Sequence, residues 1–303
     1  MLNEVKIPEN YNYIAAFLTM RCNLDCSFCL NKSGNTFNRT IFSEMSGSEW
    51  LEGLNRINSR PGVPLTLCGG EPFMHPDFIE IVKGIAPSLE IDVLTNLQWG
   101  KKGIDRFIEN IDPERINRNS KYPPIRASYH PEQMGVGEKL IDNAKRLKNA
   151  GFNVGIYSVQ FPSPETLQAI TQMQFRCADS GILFRVKDFT GRFSGKDDSG
   201  EDFSITYGDY SKYPGSAFSE TSRKCLCKTS ELLIGTDGSV YRCHRDLYAS
   251  GGSVGSIVSS QFQIEDIFRN CDNYGKCHPC DVKVKTDYRQ KLGHTSVEIK
   301  DLR

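Results

Sequence analysis

Strand-like and helix-like segments alternate from residue 12 to about residue 188, which restricts the chain to an α/β architecture with a parallel sheet. Tyr13–Thr19, Leu65–Cys68, Glu90–Thr95, Ile125–Tyr129, Phe152–Gln160 and Ile182–Val186 read as six successive strands. Helical periods lie between them. Ser48–Ile57 carries Trp50, Leu51 and Leu54 on one face, and a helix after Pro76 carries Phe78, Ile79, Val82 and Ile85. Ile104–Ile111 follows, then a helix from about Glu132 to Ala150 ending at Gly151, and one opening at Ser163-Pro164-Glu165. Six strand–helix repeats are expected; periodicity leaves open whether the sheet closes.

Ligand chemistry in such sheets gathers at the carboxyl ends of the strands. Cys22–Cys29, Gly69–Pro72, Asn96 and His130 fall there, after the first four strands in turn. Lys+Arg and Asp+Glu are both 37, so no net field draws the chain to nucleic acid or an anionic membrane. The apolar run Ile14–Met20 is too short to cross a bilayer and no signal-peptide pattern precedes it, so a cytosolic protein is expected. Eleven cysteines, odd in number and clustered toward both ends, point to metal or redox chemistry over disulfides.

Residues 21–30 read Arg-Cys-Asn-Leu-Asp-Cys-Ser-Phe-Cys-Leu, a C-x3-C-x2-C spacing. Three thiolates on one short loop suit three corners of a cubane iron–sulfur cluster and leave the fourth iron open to an added ligand. The same spacing admits three ligands of a zinc site completed from elsewhere. Residues 66–73 then read Thr-Leu-Cys-Gly-Gly-Glu-Pro-Phe, where paired glycines allow the backbone to pass close to a ligand.

Together these motifs resemble the radical S-adenosylmethionine (SAM) superfamily, whose GGEP turn is matched by Gly69, Gly70, Glu71 and Pro72. The resemblance implies a [4Fe–4S] cluster on Cys22, Cys26 and Cys29, with SAM chelating the open iron. It places Phe28 near the adenine, and the Gly69–Pro72 turn near the methionine amino group. Asn96, in a Leu-Thr-Asn strand ending, also matches the family near the cofactor. Ser128 is placed to bond ribose or carboxylate oxygens, and Arg185 with Lys187 to pair with the cofactor carboxylate or a substrate anion; ordinary structural roles compete for each. Cys68 and Cys177 read as small buried hydrophobes.

Residues 1–188 are thus expected to form a partial (β/α)6 TIM-like barrel. Residues 189–222, rich in Gly, Ser, Asp and Tyr, read as a connecting segment or flap. Residues 223–303 read as a small cysteine-rich domain in which Asp237-Gly238 joins Glu231–Ile234 to Ser239–Arg242 as a hairpin. Cys225 and Cys243 at the ends of that hairpin, with the later Cys277-x2-Cys280, suit a four-thiolate site. This part resembles the twitch or SPASM-like auxiliary-cluster domain, which implies one auxiliary [4Fe–4S] cluster. Cys227 competes with Cys225, Cys271 is a possible substitute, and a structural zinc fits the same spacing.

The resemblance implies an oxidoreductase that cleaves SAM reductively, fed by a donor such as flavodoxin or ferredoxin. Oxidation or rearrangement of a small polar molecule such as a sugar is the preferred reading, with peptide modification the alternative. Only 21 residues precede Cys22, which leaves no room for a leader-binding domain within this sequence. A zinc-binding non-enzyme is the remote alternative; neither nucleic acid nor membrane is an expected partner.

Overall fold

A computed structural model of the chain describes residues 3–26, 29, 43–189, 191–196, 199–207, 223–248, 251–274 and 297–302. Strands β1 (Val5–Lys6) and β3 (Ile57–Asn58) form a short parallel pair. The main alternation runs β2 (Tyr13–Thr19), α1 (Gly47–Leu54), β4 (Leu65–Gly69), α2 (Phe78–Gly84), β5 (Ile91–Thr95), α3 (Lys101–Asn110) and α4 (Pro113–Ile116). It continues through β6 (Ile125–Tyr129), α5 (Pro131–Met134), α6 (Glu138–Asn149), β7 (Val154–Gln160), α7 (Pro164–Asp179) and β8 (Leu183–Asp188). All six strands expected from the sequence are present.

β2 is a near-continuous apolar run, Tyr-Ile-Ala-Ala-Phe-Leu-Thr, buried from Ile14 to Thr19, as a strand covered on both faces must be. The period of two sends its residues to opposite sides. Ile14, Ala16 and Leu18 join Leu65, Leu67 and Val93 in the main core, against Trp50 and Leu54 of α1, Phe78 of α2, Phe107 of α3 and Leu140 of α6. Ala15, Phe17, Cys68 and Leu233 face the other way, with Met20, Tyr241 and Leu247. Each large side chain buried in this way contributes roughly 1.5–3 kcal/mol.

The sheet has nine strands in the order β14-β13-β12-β2-β4-β5-β6-β7-β8, and β12 (Glu231–Ile234) lies parallel to β2 with Glu231 beside Tyr13. β13 (Ser239–Tyr241) and β14 (Gly255–Ser256) complete one edge in antiparallel pairing. The fold is a partial TIM-like barrel, parallel over seven of its strands. The hairpin β12–β13 therefore continues the main sheet across the change of composition near residue 223. Its turn works as the Asp-Gly pair implies: Gly238 has φ 79° and Gly235 N–H donates to Ser239 O at 2.8 Å.

Two local expectations are revised. The helix expected over Glu132–Ala150 is broken into α5 and α6, because Gly135 (φ 52°) and Gly137 (φ 67°) take left-handed backbone between them. The connecting segment after 188 contains an antiparallel hairpin, β9 (Gly191–Lys196) with β10 (Asp202–Tyr207). Its period-two pattern, Phe203-Ser-Ile205-Thr-Tyr207, is obscured by the Gly and Ser content around it. A further sheet places β11 (Arg223–Thr229) between β15 (Arg269–Tyr274) and β16 (Val297–Asp301). The short helix α8 (His244–Tyr248) follows Cys243.

Candidate functional site

The site grows from the end of β2. Gly70 N–H donates to Thr19 O at 2.7 Å and Glu71 N–H to Arg21 O at 2.8 Å, stitching the turn after β4 to the base of the cysteine loop. The two glycines make this approach possible. A Cβ on Gly69, whose φ is +135°, would stand 2.1 Å from Thr19 O, and one on Gly70 would stand 2.2 Å from Arg21 O. Close approach is thus required first by the neighbouring chain.

Glu71 is 1% exposed, and its carboxylate accepts from Asn96 N–H at 2.6 Å, Thr95 Oγ1 at 2.7 Å, Trp99 Nε1 at 2.9 Å and Phe73 N–H at 3.4 Å. Burial outweighs these donors and holds its carboxyl above the usual carboxylate range. Asn96, thus fixed at the end of β5, donates its side-chain amide to Asn23 Oδ1 at 2.7 Å and to Cys22 Sγ at 3.7 Å. Leu24 N–H also reaches Cys22 Sγ, at 3.4 Å.

The loop returns at Glu44, which accepts from Thr19 Oγ1 and pairs with Arg21 Nη2 at 2.7 Å. On the far side Asp25 N–H donates to Gln133 Oε1 of α5 at 3.2 Å. A turn joins two of the thiols, Cys29 N–H donating to Cys26 O at 3.2 Å. Cys26 is buried, and Cys22 and Cys29 are half-buried; none is in a disulfide. Burial and then the neighbouring Cys29 push the Cys26 thiol up to about 12, and burial raises Cys22. Three thiols on one loop within each other's field form a donor set that an iron–sulfur cation would relieve of its repulsion. Among the described residues no three His, Cys, Asp or Glu side chains already close on a metal position. Phe28 lies outside the described residues.

Pro72 is buried and opens a short 3-10 turn. Ser128, half-buried on β6, stands beside Tyr157 in the ladder, and Tyr157 stands beside Arg185, which is exposed on β8. His130, after β6, has its pKa lowered by burial against the opposing charge of Glu132.

The sequence reading missed a charged layer on the same sheet. Asp92 of β5 pairs with Arg118 Nη2 at 2.5 Å and Arg126 Nη2 of β6 at 3.2 Å, and accepts from Tyr122 OH at 2.9 Å. It also missed a buried pair, His244 Nδ1 and Glu231 Oε1 at 3.4 Å, with the rings of Phe17 and Tyr248 about His244 at 5.9 Å. Single charges inside otherwise apolar strands, Ile-Asp-Val and Ile-Arg-Ala, are the signal that was available.

In the C-terminal part Cys225 is fully buried and lies directly across from Cys271 in the β11–β15 ladder. A side-chain hydrogen bond with Cys271 raises the Cys227 thiol, and the charge of Cys243 adds to the effect. Arg242 Nη1 donates to Cys227 Sγ at 4.0 Å. Burial pushes Cys243 up to about 12. Cys277 and Cys280 lie outside the described residues.

The Radical SAM superfamily model matches residues 17–173, more than half of the chain, and the chain belongs to that superfamily. It is an enzyme that uses a [4Fe–4S] cluster and SAM. Its relatives include the GTP 3',8-cyclase of Listeria monocytogenes serovar 1/2a, 30% identical over 109 residues, covering 34% of this chain and 32% of that protein. The probable GTP 3',8-cyclase of Methanocella arvoryzae is 37% identical over 156 residues, covering 47% of this chain and 44% of the relative. The chain thus spans less than half the length of these relatives. Among solved structures, Streptococcus suis SuiB aligns with a TM-score of 0.51 at 14% identity, over 83% of this chain and 64% of that one. The enzyme anSMEcpe with bound AdoMet and Cp18Cys peptide aligns with a TM-score of 0.51 at 13% identity, over 82% and 77%. These two likenesses are of fold. No helix among the described residues is long and apolar enough to cross a membrane.

Proposed function

We propose that Cys22, Cys26 and Cys29 hold the [4Fe–4S] cluster with one iron open to SAM, beside the Gly69–Pro72 turn. The observation that carries this is the loop itself: three thiols, two of them joined by the Cys29 N–H to Cys26 O turn, on a loop whose base is stitched to the glycine turn by Gly70 and Glu71. Held by these three thiolates, the cluster would supply the electron for reductive cleavage of SAM and so the hydrogen-atom abstraction that starts the reaction. The chain's part is to hold and to exclude. Phe17, Met20, Leu233 and Leu247 keep one face of the sheet dry, while Ser128 and Arg185 supply polar contacts to cofactor or substrate.

The substrate is a small polar molecule, which the enzyme oxidises or rearranges. The names of the relatives, which denote a reaction on a nucleotide, support this reading, as do the polar side chains of Arg126, Tyr157 and Lys187 on β6, β7 and β8. A peptide is the competing substrate. It is favoured by the outer edge of β8, which among the described residues pairs only with β7 and would accept an extended chain. An auxiliary [4Fe–4S] cluster in the C-terminal part would draw on Cys243 and on Cys225 or Cys227, with Cys277 and Cys280 completing the set and Cys271, directly across from Cys225, as a substitute. A donor such as flavodoxin or ferredoxin in a reducing cytosol suits the reductive step and the eleven cysteines.

Anaerobic reconstitution tests the whole. About eight irons per chain are expected for two cubanes and about four for one. 5′-Deoxyadenosine should form under dithionite and disappear in Cys26→Ala; zinc without iron overturns the reading. Cys243→Ala should lose the second cluster and keep the first, and whichever of Cys225→Ala and Cys227→Ala also loses it names the competing ligand. Low-mass metabolites should raise 5′-deoxyadenosine formation where a peptide fraction does not; the opposite result would select the peptide reading.

A further inference from the structure

We propose that Asn96 sets the reduction potential of the SAM-cleaving cluster by donating a side-chain N–H to the sulfur of Cys22, and that Glu71 acts through it as a positioning residue. The inference rests on Cys22 being a cluster ligand.

The Asn96 amide is fully assigned by its neighbours. Its oxygen accepts from Gln98 N–H at 2.9 Å, so the nitrogen must be the atom turned to Asn23 Oδ1 at 2.7 Å and Cys22 Sγ at 3.7 Å. A side-chain amide has two N–H donors, and these two acceptors use both. With 6% of its surface exposed, Asn96 has no donor left for a cofactor, and its chemistry is directed at the sulfur.

The backbone that carries the amide is held from behind. Asn96 N–H donates to Glu71 Oε2 at 2.6 Å, and Thr95 and Trp99 anchor the other carboxylate oxygen at 2.7 and 2.9 Å. The acid of the Gly-Gly-Glu-Pro turn thereby fixes the end of β5 at the height where the amide meets Cys22. An N–H donor withdraws charge from a ligating thiolate. It stabilises the reduced, more negative form of the cluster and raises its potential. Leu24 N–H on the same sulfur, at 3.4 Å, works in the same direction but cannot be removed by changing a side chain.

The test is a potentiometric titration of the anaerobically reconstituted full chain, following the electron paramagnetic resonance signal that responds to added SAM. Asn96→Ala should keep that signal and move its midpoint to a more negative potential. Asn96→Asp, which sets an acceptor against the sulfur, should move it further. Glu71→Gln should give a smaller shift of the same sign. An unmoved midpoint in Asn96→Ala with the signal intact overturns the proposal. Should Asn96→Ala fail to bind iron, wild-type protein carrying asparagine labelled with 15N in the side chain decides: a nitrogen hyperfine coupling to the reduced cluster is expected, and its absence overturns the proposal. A SAM-responsive signal that survives in Cys22→Ala would sink the cluster assignment itself, a different failure.

Discussion

His75 Nε2 donates to the carbonyl of Met45 at 2.9 Å, clamping the exit of the cysteine loop to the segment that follows the Gly-Gly-Glu-Pro turn. The ring is held as one tautomer, since Nδ1 accepts from Asp77 N–H at 3.1 Å. Met45 N–H in turn donates to Thr236 O at 2.9 Å, in the turn of the β12–β13 hairpin. One imidazole at 2% exposure thus links the cysteine loop, the glycine turn and the C-terminal hairpin. His75→Phe leaves a buried carbonyl and a part-buried N–H without partners and should cost about 2–4 kcal/mol. Chemical denaturation would measure that loss. Faster loss of iron to a chelator is expected with it, because the loop exit is released.

The glycine pair makes a sharper forecast. Gly69→Ala puts a Cβ against Thr19 O on a backbone of φ +135°, and Gly70→Ala puts one against Arg21 O. Both oxygens are main chain, so relief requires the strand ends to separate. Each change should cost roughly 3 kcal/mol or more. Gly100 is the control: its φ is −67°, nothing lies within 4 Å of its added Cβ, and it caps α3. Gly100→Ser should stabilise by about 0.3 kcal/mol through a cap hydrogen bond. Urea midpoints of the three variants would check the contrast.

Asp92 joins two arginines on one carboxylate, and its side chain is 1% exposed. Asp92→Asn leaves Arg118 and Arg126, at 10% and 11% side-chain exposure, without their main counter-charge. A loss of about 3 kcal/mol is expected from denaturation curves. Arg126→Met should cost less, because Arg118 remains on Asp92. Equal losses would show that the carboxylate does not join the pair.

How far the sequence reveals this molecule depends on the range of each contact. β6 begins at Ile125 and ends at Tyr129 as its apolar alternation indicates, and α7 starts at the Ser163 cap, whose Oγ accepts from Thr166 N–H at 3.2 Å. Both signals are local. The α5–α6 break was lost because an amphipathic period spans Gly135 and Gly137, and only their left-handed backbone ends the first helix. The partners of Asn96 could not be read from a Leu-Thr-Asn ending, since Glu71 and Cys22 come from other strand ends. The same limit explains Cys225 and Cys271. Their juxtaposition depends on pairing β11 with β15, a register that no short motif encodes. Spacing near a hairpin points to Cys225, and the register adds that Cys225 faces Cys271 while Cys227 faces Arg269.

His130 gives a pH dependence whose sign is fixed. Burial lowers its pKa in the folded chain against the opposing pull of Glu132. The unfolded chain therefore takes up the proton first as pH falls, at the ordinary histidine value of about 6.5. Above that value both states hold a neutral ring, and the group contributes no pH dependence. Below it the unfolded state gains by protonation until the folded pKa is reached, so stability falls across that window and then levels off. Wild type and His130→Gln should accordingly differ in how their urea midpoints change between about pH 7 and pH 5, with the wild type falling more steeply. Parallel curves would mean that the half-buried ring is protonated in the folded chain as readily as in the unfolded one, and would overturn the lowered pKa.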